Sequence, residues 1–441
     1  MIVGLGKTGL SCAEYLASEG QRFVVCDTRA APVLLSEFQQ QFPDVQVHLG
    51  ALDEQLLTQA ERIILSPGVS LQLPALQAAQ VAGVSIVGDV ELFLQATDVP
   101  IVAITGTNAK GTVATLVYDI AKQAGVDAVL GGNIGIPVLD LLHQPQPELY
   151  IVELSSFQLQ STHSLQAKVS TILNLTPDHL DQHRDMSEYI TAKQTIYQQA
   201  ENIVINRDDE LTLPRIATGT QWSFGLNQPQ TAFEFGLQGN NLLQGQKVLC
   251  QQQDLAVMGR HNIANVLAAL TITAALDIPI ARAITAAKAF TGLPHRCQLV
   301  AEIDSVRWYN DSKATNTGAC LAALQGFSGQ GDIILIAGGD AKGQDLSVLK
   351  PAIEQHVKEI ILLGKNASEF AAAVNPEATQ VSDLAAAVST ANRVAKAGDI
   401  VLLSPACSSL DMFTNFEQRG DRFQALVRKL AGGSNAETAT N

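Results

Sequence analysis

At 441 residues the chain exceeds what one hydrophobic core usually supports, so two to four domains are expected. With 46% hydrophobic and 16% charged residues it is globular rather than disordered, and no apolar run reaches the roughly 18 residues of a membrane helix. Acidic residues outnumber basic ones 43 to 28, and the net charge of −15 argues against general nucleic-acid or membrane-surface binding, which needs a basic field.

Any anionic substrate must therefore meet a local cluster of Lys and Arg. The six cysteines (Cys12, Cys26, Cys250, Cys297, Cys320, Cys407) form no C-x-x-C pair. The N-terminus shows neither the basic stretch nor the cleavage site of a signal peptide. Reduced, mostly buried thiols and a cytoplasmic location are expected.

Residues 1–3 followed by Gly4-Leu5-Gly6-Lys7-Thr8-Gly9 read as a strand entering a G-x-G-x-x-G turn, with a helix over 10–18. Only three residues precede Gly4, so either this strand is short or the chain lacks its natural first residues. A second strand, 23–27, ends in Asp27 at a spacing that suits an acid on a ribose. Strands over 45–49, 62–65 and 85–87 continue a strand–helix alternation, which implies a parallel sheet. The first domain is set at 1–90.

The second domain, 91–292, opens on the stretch with the clearest chemistry. Ile101-Val102-Ala103-Ile104-Thr105 is a buried-strand pattern that ends in Gly106-Thr107-Asn108-Ala109-Lys110-Gly111-Thr112, and a helical pattern follows. Backbone N–H groups at a helix start have no partners within the helix, and the helix dipole favours an anion there. Lys110 adds a full charge where a β- or γ-phosphate sits. The P-loop pattern is incomplete: Ile104 and Ala109 stand at its glycines, and Gly111 where a hydroxyl follows the lysine. An ordinary strand–turn–helix joint is the competing reading.

Residues 128–135 read as a strand into a Gly-rich turn, and 149–156 as a buried strand carrying Glu153 near its end. A carboxylate there faces the crevice where open α/β sheets bind ligands, which makes Glu153 a candidate Mg²⁺ ligand beside a phosphate loop. The alternative is a solvated strand-end acid. His179 and His183 lie four apart, on one face if helical, yet no further zinc ligand stands nearby. One histidine in a phosphate–metal site, or two surface histidines, are the other readings. A strand over 170–175, a helix over 188–199 carrying Lys193, a strand over 202–206, antiparallel strands over 221–257 and a helix over 261–275 complete the domain.

The third domain, 293–431, alternates again, with strands over 333–337, 359–363 and 400–403 and helices over 346–357, 367–374, 383–395 and 416–430. Residues 432–441 read as a disordered tail. His295-Arg296 suits a joint that touches phosphate. Asn310-Asp311-Ser312-Lys313-Ala314-Thr315-Asn316 packs an acid, a cation and amides as a ribose–phosphate loop does, or is simply a capped turn. Lys342 between glycines suits a carboxylate, and 404–411 combines a strand end, a proline and hydroxyls. Cys407 has no base beside it in sequence and is not read as a nucleophile.

Taken in order, these motifs resemble the Mur ligases, over nearly the whole chain. The carriers are Gly4-Leu5-Gly6-x-x-Gly9, Leu65-Ser66-Pro67-Gly68, Thr105-Gly106-Thr107-Asn108-x-Lys110, Gly131-Gly132-Asn133-Ile134-Gly135, Glu153-Leu154-Ser155-Ser156-Phe157-Gln158-Leu159, the run Asn174 to Leu180, Gly259-x-His261-Asn262, Gly292-Leu293-Pro294-His295-Arg296, the run 310–316 and Leu403-Ser404-Pro405-Ala406-Cys407. The resemblance implies an α/β fold of three domains: N-terminal Rossmann-like, central P-loop-type ATPase, C-terminal Rossmann-like. Within the family it is nearest the branch that uses ATP and Mg²⁺ to join D-glutamate to UDP-N-acetylmuramoyl-L-alanine through an acyl phosphate. It implies a monomer with no nucleic-acid or membrane partner.

By the same resemblance, Gly106, Thr107, Asn108, Lys110, Gly111 and Thr112 surround the phosphates, and Asn262, Asn265, Arg296 and Asp311 contact the nucleotide. Glu153 and His179 hold Mg²⁺, and Lys193 falls where the family carries a carbamylated lysine, an anionic ligand for a second Mg²⁺. Asp27, Thr28, Arg29 and Gly68 meet the uridine end, and Asn133, Ser155 and Gln158 the muramoyl-alanine part. Lys313, Thr315, Lys342, Ser409, Leu410 and Phe416 meet D-glutamate. The branch usually has Gly-Lys-Ser-Thr where this chain has Ala109-Lys110-Gly111-Thr112: Gly111 supplies no side-chain oxygen to the metal, and Thr112, ~100° further round the helix, is no simple substitute, though the Lys-Gly-Ser order of the related folylpolyglutamate synthases would allow a ligand from position 112. The competing functions are another amide ligase of the superfamily, such as a folylpolyglutamate synthase, a nicotinamide-dependent oxidoreductase built on the first Gly-rich turn, and an inactive binding protein.

Overall fold

The structure, a computed structural model, describes residues 1–178, 182–216, 218–257 and 259–437, with side chains described through 431. Three β-sheets run along the chain, each flanked by helices. The first has five strands in the order Val47–Leu49, Val25–Asp27, Ile2–Val3, Arg62–Leu65, Ser85–Val87, all parallel. Its first strand is two residues long because Gly4 breaks it at once, with φ +102. At Gly9 a Cβ would run into the carbonyl of Gly4, so only glycine lets helix Lys7–Ser18 pack this close to the turn.

The second sheet has nine strands, and its centre positions the site. Ile101–Thr105 is buried along its whole length and lies between Leu149–Glu153 and Val169–Ile172, parallel to both. Ile104 stands beside Glu153 and Thr105 beside Ile172, so the carboxyl ends of the three strands meet at one edge. The antiparallel reading of 221–257 holds only in part. Thr220–Phe224 pairs parallel to Asn202–Asn206 and to Glu234–Gln238; only the ribbon Glu234–Gln238, Asn241–Gln244, Lys247–Gln251 is antiparallel. The polar alternation in the sequence does not distinguish strand direction, and the burial of these strands does not follow it: Phe235, Gly236 and Leu237 are buried in succession.

The third sheet has six strands in the order Gln298–Ile303, Val306–Asn310, Ile400–Leu403, Ile333–Gly338, Val357–Leu363, Thr379–Gln380, antiparallel only at its first pair. The chain forms two compact units, Met1–Asp254 with Asn265–Lys288, and Leu255–Ala264 with Ala289–Asn441. The first two sheets share a unit because one apolar core runs from Ile2, Val25 and Phe38 to Ile101, Tyr150 and Ile172, with the Phe93 and Tyr150 rings 5.0 Å apart. The boundary expected near residue 90 thus separates two sheets inside one compact unit. The last helix, Phe416–Glu437, enters the stretch read as a disordered tail, and residues 438–441 lie outside the described residues. Among the described residues no helix is long and apolar enough to cross a membrane.

Candidate active site

The strand Ile101–Thr105 passes through Gly106 to Ala109 into helix Lys110–Ala124, as expected. A second loop holds this turn. Asn174 accepts from the Asn108 N–H through Oδ1 (2.8 Å) and donates to the Asn108 carbonyl through Nδ2 (3.1 Å). The Thr107 hydroxyl lies 3.0 Å from the Thr176 N–H and 3.0 Å from the Tyr189 hydroxyl. Asn174 and Tyr189 carried no assigned role in the sequence reading; they act on the turn from outside it.

Ala109, the helix N-cap, sits in the left-handed region at φ 66 and offers no side-chain cap. Glycine is the residue for that backbone, and alanine there costs on the order of 1 kcal/mol. Ala109→Gly is therefore expected to raise stability by up to about 1 kcal/mol, moving the thermal midpoint up by roughly 1–2 °C. A lower midpoint in a melting scan would contradict the strain.

Two lysines converge on this turn. Lys110 Nζ donates to the carbonyls of Gly106 and Thr107, both at 3.0 Å. Lys193 Nζ donates to Thr105 Oγ1 and to the same Gly106 carbonyl, again at 3.0 Å. Lys193 is 2% exposed and lies 5.0 Å from the centre of the Tyr189 ring. Burial first, and then the Lys110 charge, push its amine well below the usual lysine range, against the opposing pull of Asp178 and Glu153. That setting disfavours the charged form of the amine.

Glu153 ends its strand buried, at 4% exposure, with Oε1 fixed by the Asn133 amide at 2.7 Å. At Gly132 a Cβ would strike the Glu153 carbonyl, so the Gly-rich turn is what lets Asn133 approach. Mg²⁺ takes hard oxygen donors, and the Glu153 carboxylate fits it. Thr112 is also buried. Among the described residues no trio of His, Cys, Asp and Glu gathers around one point, so the remaining oxygens would come from phosphate and water. His179 lies outside the described residues. His183 lies before the helix, which starts at Met186, and its Nε2 lies 2.9 Å from Ser156 Oγ with its ring stacked on Phe157.

Ser155 and Gln158 form a capping box at helix Ser156–Gln160, a pairing that S-x-x-Q in the sequence signals. Asp89 Oδ2 accepts from Gln158 Nε2 at 3.3 Å, and burial pushes this carboxyl up to about 6. A folded pKa above the unfolded 3.8 means that stability falls as pH rises from about 4 to about 6 and stays lower above that. Asp89→Asn keeps an acceptor for Gln158 and removes this loss. It is expected to gain roughly 2–3 kcal/mol on wild type at pH 7 and nothing at pH 4. Urea midpoints at the two pH values check this.

In the first sheet Asp27 is committed to its own turn. Its oxygens accept from the Leu5 N–H (2.6 Å), the Arg29 N–H (2.8 Å) and the Arg29 guanidinium (2.8 and 2.7 Å). Burial opposes ionisation, but the Arg29 and backbone bonds win and hold Asp27 below the usual carboxylate range. Thr28, Arg29 and Gly68 are exposed. A cleft in this unit is lined by Ser66, Pro67, Ser70, Phe157, Gln160 and Gln182, which brings the Gly68 loop next to the Ser155–Gln158 helix.

In the second unit Asp311 is buried; it accepts from Ser404 Oγ at 2.7 Å and from the Cys297 N–H at 3.2 Å, and burial pushes it up to about 6. Arg296 lies near His261: burial, then the Arg296 charge, bring that imidazole down to about 4, which keeps it neutral. Asn262 and Asn265 lie on one helix, Arg260–Ala274. Lys313 Nζ stands 4.3 Å over the Phe416 ring. Ser409 is buried, whereas Leu410 and Lys342 are exposed, Lys342 at φ 48. Burial pushes the Cys407 thiol up to about 12, so it is no nucleophile at neutral pH.

Three family models match along the chain: Mur ligase MurD-like, N-terminal domain, over residues 1–88; Mur ligase middle domain over 104–273; and Mur ligase, glutamate ligase domain, over 295–407. The chain belongs to the Mur ligase family. Similar Mur ligases include the UDP-N-acetylmuramoylalanine–D-glutamate ligase of Nitrosococcus oceani, 45% identical with 98% of this chain and 96% of that protein covered. The protein of the same name from Legionella pneumophila is also 45% identical, with 98% and 99% covered. A pseudomurein peptide ligase type C from Methanothermus fervidus aligns with a TM-score of 0.61 at 18% identity, covering 97% of this chain and 99% of its own. A UDP-N-acetylmuramate–alanine ligase from Thermotoga maritima aligns at 0.59 and 18%, covering 98% and 99%. At such identities the two structures speak for the fold alone, and the three-sheet α/β architecture is that of Mur ligases.

Proposed function

We propose that this protein joins D-glutamate to UDP-N-acetylmuramoyl-L-alanine at the expense of ATP, as the names of its 45% identical relatives suggest. The observation that carries the chemistry is the pair Lys110 and Lys193 on one carbonyl, Gly106 O, with Glu153 on the neighbouring strand. A carboxylate is a poor electrophile. Its attack on the γ-phosphorus of ATP gives an acyl phosphate and ADP. The free amine of D-glutamate then adds to the acyl carbon, a proton leaves the nitrogen, and phosphate departs as the amide forms. Charge crowds around the γ-phosphate in the first step, and Lys110 with the backbone N–H groups of the first turn of helix Lys110–Ala124 meets it. Glu153, His179 and Thr112, with Lys193 once carbamylated, would hold Mg²⁺, which supplies further charge neutralisation when bound.

The other assignments follow the family pattern. Asn262, Asn265, Arg296 and Asp311 contact the nucleotide. Asp27, Thr28, Arg29 and Gly68 take the uridine end, with Asn133, Ser155 and Gln158 on the muramoyl-alanine. Lys313, Thr315, Lys342, Ser409, Leu410 and Phe416 hold D-glutamate. The use of ATP and a UDP-sugar as substrates supports a cytoplasmic location. Substrate labelled with ¹⁸O in its carboxylate tests the route. One label is expected in the released phosphate, and phosphate without label excludes the acyl phosphate.

A further inference from the structure

Arg419 lies in Phe-Glu-Gln-Arg-Gly-Asp-Arg at the start of the last helix, a stretch that reads as solvated surface charge. It is 3% exposed, and its guanidinium faces inward. Nε donates to Ser312 Oγ at 3.0 Å, Nη2 to the Ser312 carbonyl at 2.7 Å and Nη1 to the Cys407 carbonyl at 3.2 Å. Ser312 Oγ in turn donates to the Phe416 carbonyl at 2.8 Å. One fork therefore ties together the 310–316 loop, the 404–411 loop and the first turn of the helix. These three segments carry five of the residues assigned to D-glutamate: Lys313, Thr315, Ser409, Leu410 and Phe416.

The bonds of this guanidinium run to a hydroxyl and two carbonyls, not to a carboxylate. A buried charge with neutral acceptors is poor value for stability alone. What a guanidinium adds is geometry: a planar fork of donors fixes several oxygens relative to one another, which a lysine point charge does not. D-glutamate carries a carboxylate at each end, so a site that grips both depends on the spacing of its loops.

We propose that Arg419 is a positioning residue of the amino-acid site, setting the distance between the Lys313–Thr315 loop and the Ser409–Phe416 side so that both ends of D-glutamate are held. This rests on the D-glutamate assignment above. Asp311, on the nucleotide side, shares the 310–316 loop and the field of the Arg419 charge, but it has bonds of its own to Ser404 Oγ, the Cys297 N–H and, through its own N–H, the Leu403 carbonyl (2.8 Å).

Steady-state kinetics on full-length Arg419→Lys, Ser312→Ala, the double variant and Lys342→Ala test it. Arg419→Lys is expected to raise the KM for D-glutamate about tenfold while the KM for ATP stays within about twofold. Ser312→Ala is expected to raise it by roughly threefold, and the double variant no further than Arg419→Lys, since both act through one network. An unchanged KM for D-glutamate, or an equal rise for ATP, overturns the positioning role. Where Arg419→Lys fails to fold, Ser312→Ala decides by the same readout. Lys342→Ala reports on the site itself: if it leaves the KM for D-glutamate unchanged, the assignment of the site fails independently of Arg419.

Discussion

Lys110→Ala lowers turnover by about 10²-fold or more, the size of a lost charge contact to a phosphoryl transition state. The expectation rests on where the amine is held. Lys110 opens helix Lys110–Ala124 and folds onto the carbonyls of Gly106 and Thr107, beside the helix start whose N–H groups have no partners within the helix. In a chain with net charge −15, little else would draw a triphosphate to this place. The loss should appear in kcat as well as in the KM for ATP, because the contact strengthens as the γ-phosphate is attacked. Near-normal turnover in an initial-rate assay would remove Lys110 from the mechanism.

Lys193→Ala is expected to cost a comparable factor, about 10²-fold, but for a different reason. Two ammonium groups on one carbonyl repel, and burial together with the Lys110 charge lowers the Lys193 pKa, so of the two it gives up a proton the more readily. A neutral amine adds CO₂, and the resulting carbamate turns a repelling pair into an attracting one beside Glu153. Two readings separate this from a lysine that stays an amine. Activity of wild type should fall in CO₂-depleted buffer and return with bicarbonate. Stability should also respond: an unmodified Lys193, with its folded pKa below the unfolded 10.5, makes stability climb as pH rises toward 10.5, and carbamylation flattens that climb. Activity indifferent to CO₂ together with a steep climb would leave Lys193 a plain amine.

Much of this was legible in the chain. The β-branched run 101–105 before Gly106 and Lys110 placed the central strand and turn, and alternating strand and helix patterns placed the parallel sheets. The inward face of Lys193 shows only in the structure: in helix Met186–Gln194 the buried positions are Tyr189, Ala192 and Lys193, an i, i+3, i+4 stripe that a lysine by itself does not announce. Asp185, whose Oδ1 caps the Glu188 N–H at 2.8 Å, marks the start of that helix and so places His183 before it, a cap signal present in the sequence.

Other features were not legible. The parallel pairing of Thr220–Phe224 depends on which strand lies beside it in space, and alternation carries no such information. The Asn108–Asn174 exchange joins residues 66 apart in sequence, and Arg419 reaches Ser312 across 107 positions. Two loops are set by one guanidinium only after the sheet has brought them together, so a local pattern has nothing to show.

The most direct measurement is ADP release with each substrate omitted in turn. ATP should be consumed at speed only when UDP-N-acetylmuramoyl-L-alanine and D-glutamate are both present, with other amino acids failing to replace D-glutamate. No ATP consumption with the complete set, or equal consumption with L-glutamate or L-alanine in its place, would contradict the account.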